Sequence, residues 1–355
     1  MTQHLFFELG TEELPAGEIA GMSEALRSKI VSGLNEQRLS FTGAVAFSTP
    51  RRLAIWVKDV ATQAPDESRD VIGPPLSAAK DAQGVWTKAA EGFARKQGIE
   101  VDALVVREEQ GVERISAHVA QIGAKACDVI PTIVADAVGS IPVSKRMRWG
   151  RNRDEFLRPV QWLVLLFGEE VLPLELFGLE AGRDTQGHRF HHNAAIALRC
   201  PTTYQAVMRD AKVVVDVSER RQLVAEQVAA LAQPDEVVAL SEELLDEVTG
   251  LVEWPVALRG SFDPAFLEVP AEALISAMKT HQKYFHINDA KTGALLPSFI
   301  TVSNIDSSNP ASVIAGNERV IRPRLADAAF SLPTTKPRHW PQEQTGSRAL
   351  SFNTI

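Results

Sequence analysis

Two cysteines, Cys127 and Cys200, are the only thiols in this 355-residue chain. They stand far apart in no CxxC pair, so neither a disulfide framework nor a zinc site is indicated, and a reducing compartment is expected. No window approaches about eighteen consecutive apolar residues, and the N-terminal MTQHLFFELG has neither the basic lead nor the long apolar core of a secretory signal. The expectation is a cytoplasmic chain with no membrane attachment. Also missing are GxxxxGK[ST], GxGxxG, any kinase-type signature, HExxH and GxSxG, so no phosphate cradle and no self-contained catalytic centre is expected. Positive charge is in deficit too. A formal net charge of -8 excludes a protein that coats nucleic acid indiscriminately, and any polyanion site must be a local patch on an acidic body.

What is present is a hydrophobic content of 45%, enough for two or three domains with real cores. The charge is unevenly spread. Val143 to Val160 reads VSKRMRWGRNRDEFLRPV and gathers Lys145, Arg146, Arg148, Arg151, Arg153 and Arg158 around Trp149 and Phe156, with only Asp154 and Glu155 to offset them. Cations interleaved with an aromatic suit a nucleic-acid backbone, the ring offering a face to a base; the plain alternative is a solvated loop with its own ion pairs. Arg51 and Arg52 follow a Ser48-Thr49-Pro50 turn, and Lys279, His281 and Lys283 cluster at the end of a helical segment. The last three are also what a negative helix terminus attracts.

Along the chain, residues 4 to 9 read as a strand, and Ile19, Met22, Leu26, Ile30 and Leu34 recur at the helical period after Pro15. Glu8, Glu12 and Glu13 are either metal or ligand carboxylates or, more simply, charges placed for the helix dipole. A hairpin is expected over 43 to 60, a proline-rich loop or crossover over 61 to 84, a helix ending near Gly98, two strands over 101 to 120, and a helix over 123 to 139 kinked or split at Pro131. QWLVLLF (161 to 167) reads as a buried strand that anchors the basic stretch, and LVEWPV (251 to 256) as a strand stopped by Pro255. Helices are expected over 218 to 232, 239 to 249, from Pro270 onward and over 310 to 330, with strands at 284 to 287 and 296 to 302. GHRFHH (187 to 192) holds the densest histidines. With no acidic or Cys partner at zincin-like spacing it reads as a turn or an RNA-facing strand end, and a metalloenzyme built on it is the remote rival. The fold class is α/β in the mixed α+β sense, multidomain. Its segments are 1-60, 61-142, a central mixed sheet domain 143-305, a helical start 306-330 and a tail 331-355.

Read together, FFELGTEELPA (6 to 16), STPRRLAI (48 to 55), KRMRWG (145 to 150), FLRPVQWLV (156 to 164), GHRF (187 to 190), LVEWPVAL (251 to 258), MKTHQKYF (278 to 285), FITVSNI (299 to 305) and GNERVIRPRLADAAF (316 to 330) resemble the bacterial glycyl-tRNA synthetase beta subunit. The resemblance implies a cytoplasmic subunit of an alpha-two, beta-two enzyme in which the separate alpha subunit uses ATP, with magnesium, to form glycyl-adenylate. The beta subunit would supply binding of glycine tRNA. It also implies an N-terminal portion similar to a domain of the phenylalanyl-tRNA synthetase beta subunit, with an HD-like helical domain and an anticodon-binding domain further on. Under this resemblance the candidate RNA contacts are Arg51, Arg52, Lys145, Arg146, Arg148, Arg151 and Arg153, with Lys279, His281 and Lys283 behind them; no catalytic residue and no metal ligand is expected. The rival is a docking module that binds the alpha subunit and no RNA. After Phe330 the chain departs from the family pattern into a tail with Pro333, Pro337 and Pro341, and a shifted reading frame or a truncation is expected there.

Overall fold

The computed structural model describes residues 1–330 apart from 82, 110, 151 and 152. They form two compact units, the first made of 1–226, 245–256 and 303–306, the second of 227–244, 257–302 and the residues from 307 on. Both mix helices with antiparallel sheet, as the α+β reading expects.

The first unit is organised by a strand buried on both faces, Thr2–Thr11 (β1), in which the apolar run LFFEL leaves no side for water. β1 pairs antiparallel with Arg52–Ala61 (β3) on one side and with the strand Val160–Phe167 on the other. Gly43–Thr49 (β2) extends the sheet beyond β3, and Glu170–Val171 closes its opposite edge. Because side chains alternate across a strand, Leu5, Phe7 and Leu9 enter one core while Phe6, Glu8 and Gly10 face another. The sheet thereby joins segments that the sequence reading placed in separate parts, 1 to 60 and 143 to 305.

On the Leu5 face lies the helix Ala16–Glu36, whose expected stripe of Ile19, Met22, Leu26, Ile30 and Leu34 is buried throughout. Each such side chain contributes about 1.5–3 kcal/mol by leaving water. Beside it packs Ala126–Gly139, which runs unbroken through Pro131. The missing proline N–H would have reached Cys127, which is exposed near the start of the helix, while Ile130, Val134 and Ala137 hold the other face. The proline-rich segment is not the expected loop. Glu67–Pro75 is an edge strand of a three-stranded sheet with Val112–Gln121 and Val105–Glu109, and Pro74 and Pro75 fall at its end. Lys88–Gln97 and the short Leu76–Ala79 helix cover that sheet around Ala79, Ala90, Ala94, Ile115 and Ala117.

The second unit has a sheet in the order 236–238, 285–289, 295–303, 256–261. Its core is Phe262, Phe266, Leu274, Met278, Tyr284, Phe299, Ile321 and Leu325, with the Tyr284 and Phe299 rings stacked at 4.5 Å. The helix Ala271–Ser276 continues as a π-helical turn, Ala277–Gln282, and Pro310–Phe330 packs across it.

Candidate nucleic-acid interface

The basic stretch forms a small hairpin in which Met147 pairs with Phe156 and Arg148 with Glu155. Phe156 is buried, and Trp149 is half-buried with its ring 5.8 Å from that of Phe177. Trp149 thus packs in part against the floor of the hairpin, which leaves less of its face for a base. The cations behave differently. Lys145, Arg146, Arg148 and Arg153 are all exposed, and Arg151 lies outside the described residues.

Both ends of the hairpin are clamped to the first unit. Ser144 donates to Glu18 through its hydroxyl (2.6 Å) and its N–H (3.2 Å). At the other end the Arg158 Nε–H donates to the Glu13 carbonyl at 3.0 Å. The buried strand that begins at Val160 then fixes the exit, as the sequence led one to expect. Arg148 meets Glu155 at 2.6 Å, the guanidinium exposed and the carboxylate half-buried, an interaction worth about 0–1 kcal/mol that a polyanion can displace. The result is a cationic surface on a rigid base, which is what phosphate contacts require.

Arg51 and Arg52 have another role. Arg52 is fully buried, its Nε and Nη2 donating to Glu253 Oε1 at 3.3 and 3.2 Å, with Glu8 Oε2 3.7 Å from Nη1. The Glu8 carboxylate also accepts from Trp162 Nε1 (2.6 Å), from Thr185 and from the Tyr204 hydroxyl. Thr49 donates to Glu253 at 2.7 Å. Arg51 is mostly enclosed, 4.0 Å from Glu253 Oε2, and both guanidinium groups lie over the Trp162 ring. Arg52 cannot reach an RNA, and its assignment as an RNA contact is corrected because a carboxylate distant in sequence pairs with it inside the fold; Arg51 is turned inward beside it. Trp162 lies flat on its strand partner Gly10, where a Cβ would come within 1.9 Å of the indole.

Charge in this closed network follows from competition between burial and pairing. Burial opposes ionisation of Glu253, but Arg52, the Thr49 hydroxyl and Arg51 outweigh it and hold the carboxyl below the usual range. Burial likewise opposes the Arg52 charge and is overcome by Glu253 and Glu8. Tyr204 is pushed up by burial and by Glu8, so it remains a donor. Arg220, equally enclosed, donates to the carbonyls of Thr249, Val214 and Ser48, and burial brings it down to about 10. This arginine, Glu253, Tyr204 and Trp162 were not singled out from the sequence. The available signal was Glu8, a carboxylate placed between Phe7 and Leu9 in a strand with no wet face, which demands a buried partner.

In the second unit Lys279 meets Glu243 at 2.8 Å, His281 is exposed, and Lys283 sits in the left-handed region (φ 59°) directly after the π-helical turn. The three thus sit at the C-terminal end of the helix opened at Pro270, as expected, although its last turn is π-helical. The histidines of GHRFHH differ in exposure: His188 is buried, His191 half-buried with its ring 4.7 Å from that of His188, and His192 exposed. Among the described residues no group of three or more His, Cys, Asp or Glu side chains is placed to hold a metal ion, and no helix is long and apolar enough to cross a membrane.

A family model described as glycyl-tRNA synthetase beta subunit matches residues 5–337. The chain belongs to that family. Among similar proteins, the glycine–tRNA ligase beta subunit of Chromohalobacter salexigens is 49% identical over 350 residues, covering 98% of this chain and 50% of that protein. The subunit of the same name from Hahella chejuensis is 47% identical over 338 residues, 95% of this chain and 49% of its own. That from Pseudomonas savastanoi pv. phaseolicola is 45% identical over 329 residues, 92% and 47% respectively. The chain thus spans about half the length of the curated relatives it matches. The family match runs seven residues past Phe330.

Proposed function

We propose that this member of the glycyl-tRNA synthetase beta subunit family contributes tRNA contacts and alpha-subunit docking to the ATP-dependent attachment of glycine to tRNA. The observation that carries the reading is the clamped hairpin: four described cations, Lys145, Arg146, Arg148 and Arg153, stand in water on an acidic chain. Such an arrangement positions a phosphate backbone without reading bases. Lys279, His281 and Lys283 form the secondary contact in the second unit. Glycine activation, with ATP and magnesium, belongs in this reading to a separate alpha subunit in an alpha-two, beta-two assembly in the cytoplasm. An N-terminal portion akin to a domain of the phenylalanyl-tRNA synthetase beta subunit is part of the same proposal.

A mobility-shift titration of the chain with glycine tRNA, repeated over a range of salt and with the alpha subunit as a co-purification partner, tests it. Salt-dependent tRNA binding supports the proposal. Co-purification with alpha and no tRNA binding at any salt would select the docking module instead, a reading favoured by the inward turn of Arg51 and Arg52.

A further inference from the structure

We propose that Phe190 is a stacking platform for an unpaired base of the bound tRNA, a contact that rests on the tRNA-binding reading above. Phe190 is 66% exposed, and among the described phenylalanines only Phe330 is comparably bare. It sits at the tip of the turn joining Asp184–Gln186 to Ala195–Ala197, two strands that pair antiparallel. The turn is closed before any ligand arrives. The buried His188 ring accepts the N–H groups of Phe190 and His191 at Nδ1, both at 3.2 Å, so its proton is on Nε2, which donates to the Asn304 carbonyl at 2.8 Å. His192 N–H returns to the His188 carbonyl at 2.9 Å. Gly187 permits this closure, since a Cβ there would lie 2.6 Å from the His192 carbonyl oxygen. His191 Nε2 accepts the Asp306 N–H at 3.0 Å.

Those bonds hold the backbone that carries Phe190, and its ring lies 6.2 Å from that of the buried His188, so a partner that covers it need not order the turn itself. The surroundings narrow the partner. Arg189 is engaged by Glu12 (2.5 Å) and Glu13 (2.8 Å), so this residue does not supply a free cation for a phosphate. No other large hydrophobic between residues 183 and 200 is exposed, which is unlike the apolar cluster at the centre of a protein–protein contact. A single exposed aromatic face with no free cation on the neighbouring Arg189 suits a flat, uncharged base.

The test is a salt series of tRNA affinities for the chain and three variants. Phe190→Ala is expected to weaken binding about 5- to 100-fold at every salt concentration with an unchanged slope of log K against log salt, because stacking releases no counterions. Phe190→Trp should keep the affinity, and Phe190→Leu should behave like Ala. Wild-type affinity in Phe190→Ala or in Phe190→Leu, or an altered salt slope, would overturn the stacking role. A wild-type chain that binds no tRNA at any salt overturns the underlying reading instead, so the two failures are distinguishable.

Discussion

Replacing Glu253 by alanine removes one carboxylate from a site that water does not enter. Arg52, fully buried, loses the acceptor of its Nε and Nη2 hydrogen bonds, Thr49 loses its partner, and only Glu8 remains to offset the charge. Breaking a buried pair from one side costs about 3–5 kcal/mol, because the orphaned ion keeps its desolvation penalty. For a unit of this size that lowers the melting temperature by about 6–20 °C, measurable by scanning calorimetry. Glu253→Gln keeps a neutral acceptor and should cost about 1.5–3 kcal/mol. The pH dependence has a fixed sign. The folded-state pKa of Glu253 is depressed, so its contribution is present above the unfolded value of about 4.3 and is lost as pH falls through the folded value; the penalty of the alanine variant should therefore shrink in strong acid. Combining Arg52→Met with Glu253→Met should cost less than the sum of the single changes. A penalty for Glu253→Ala below about 1 kcal/mol, or one that is independent of pH, would refute the closed ionic network.

Gly10→Ala should destabilise the first unit by about 1–3 kcal/mol or more in a urea titration, since the new methyl overlaps the Trp162 indole and cannot move without breaking the bond to Glu8. Burial depresses His188 more than Glu253 raises it, so the neutral imidazole is the folded form. Stability should then fall as pH drops below about 6.5, and His188→Gln should flatten that part of the pH–stability curve. Exchange of the Phe190 and His191 amides should quicken in the same variant, since both N–H groups lose the ring nitrogen that accepts them.

Most of the scaffold was legible because it is local. The stripe from Ile19 to Leu34, the hairpin around Pro50 and the apolar run of QWLVLLF each carry their own period, and each forms as that period dictates. The failures share a cause. LVEWPV reads as a strand, yet only Val256 starts one, because Glu253 turns inward to Arg52 while Asn304 accepts its N–H at 2.7 Å and that of Trp254 at 3.1 Å. Arg52 reads like any arginine after a turn, because the carboxylate that claims it is 201 residues away. Composition over 61 to 84 hides a strand, since prolines at the end of an edge strand remove no interior ladder bond. The exposure of Lys145, Arg146, Arg148 and Arg153 could be read from the sequence because charge clustered with few acidic neighbours has to face water or a polyanion.

The central claim is that the clamped hairpin, and not the arginine pair after Pro50, holds RNA phosphates. The most direct measurement is the salt dependence of glycine tRNA binding for the chain with Lys145, Arg146, Arg148 and Arg153 all changed to alanine. Each lost phosphate contact reduces the slope of log K against log salt by about 0.7–0.9, so four lost contacts should flatten it by roughly 3–4 while the fold is unchanged by circular dichroism. A slope and affinity equal to those of the unaltered chain would contradict the account.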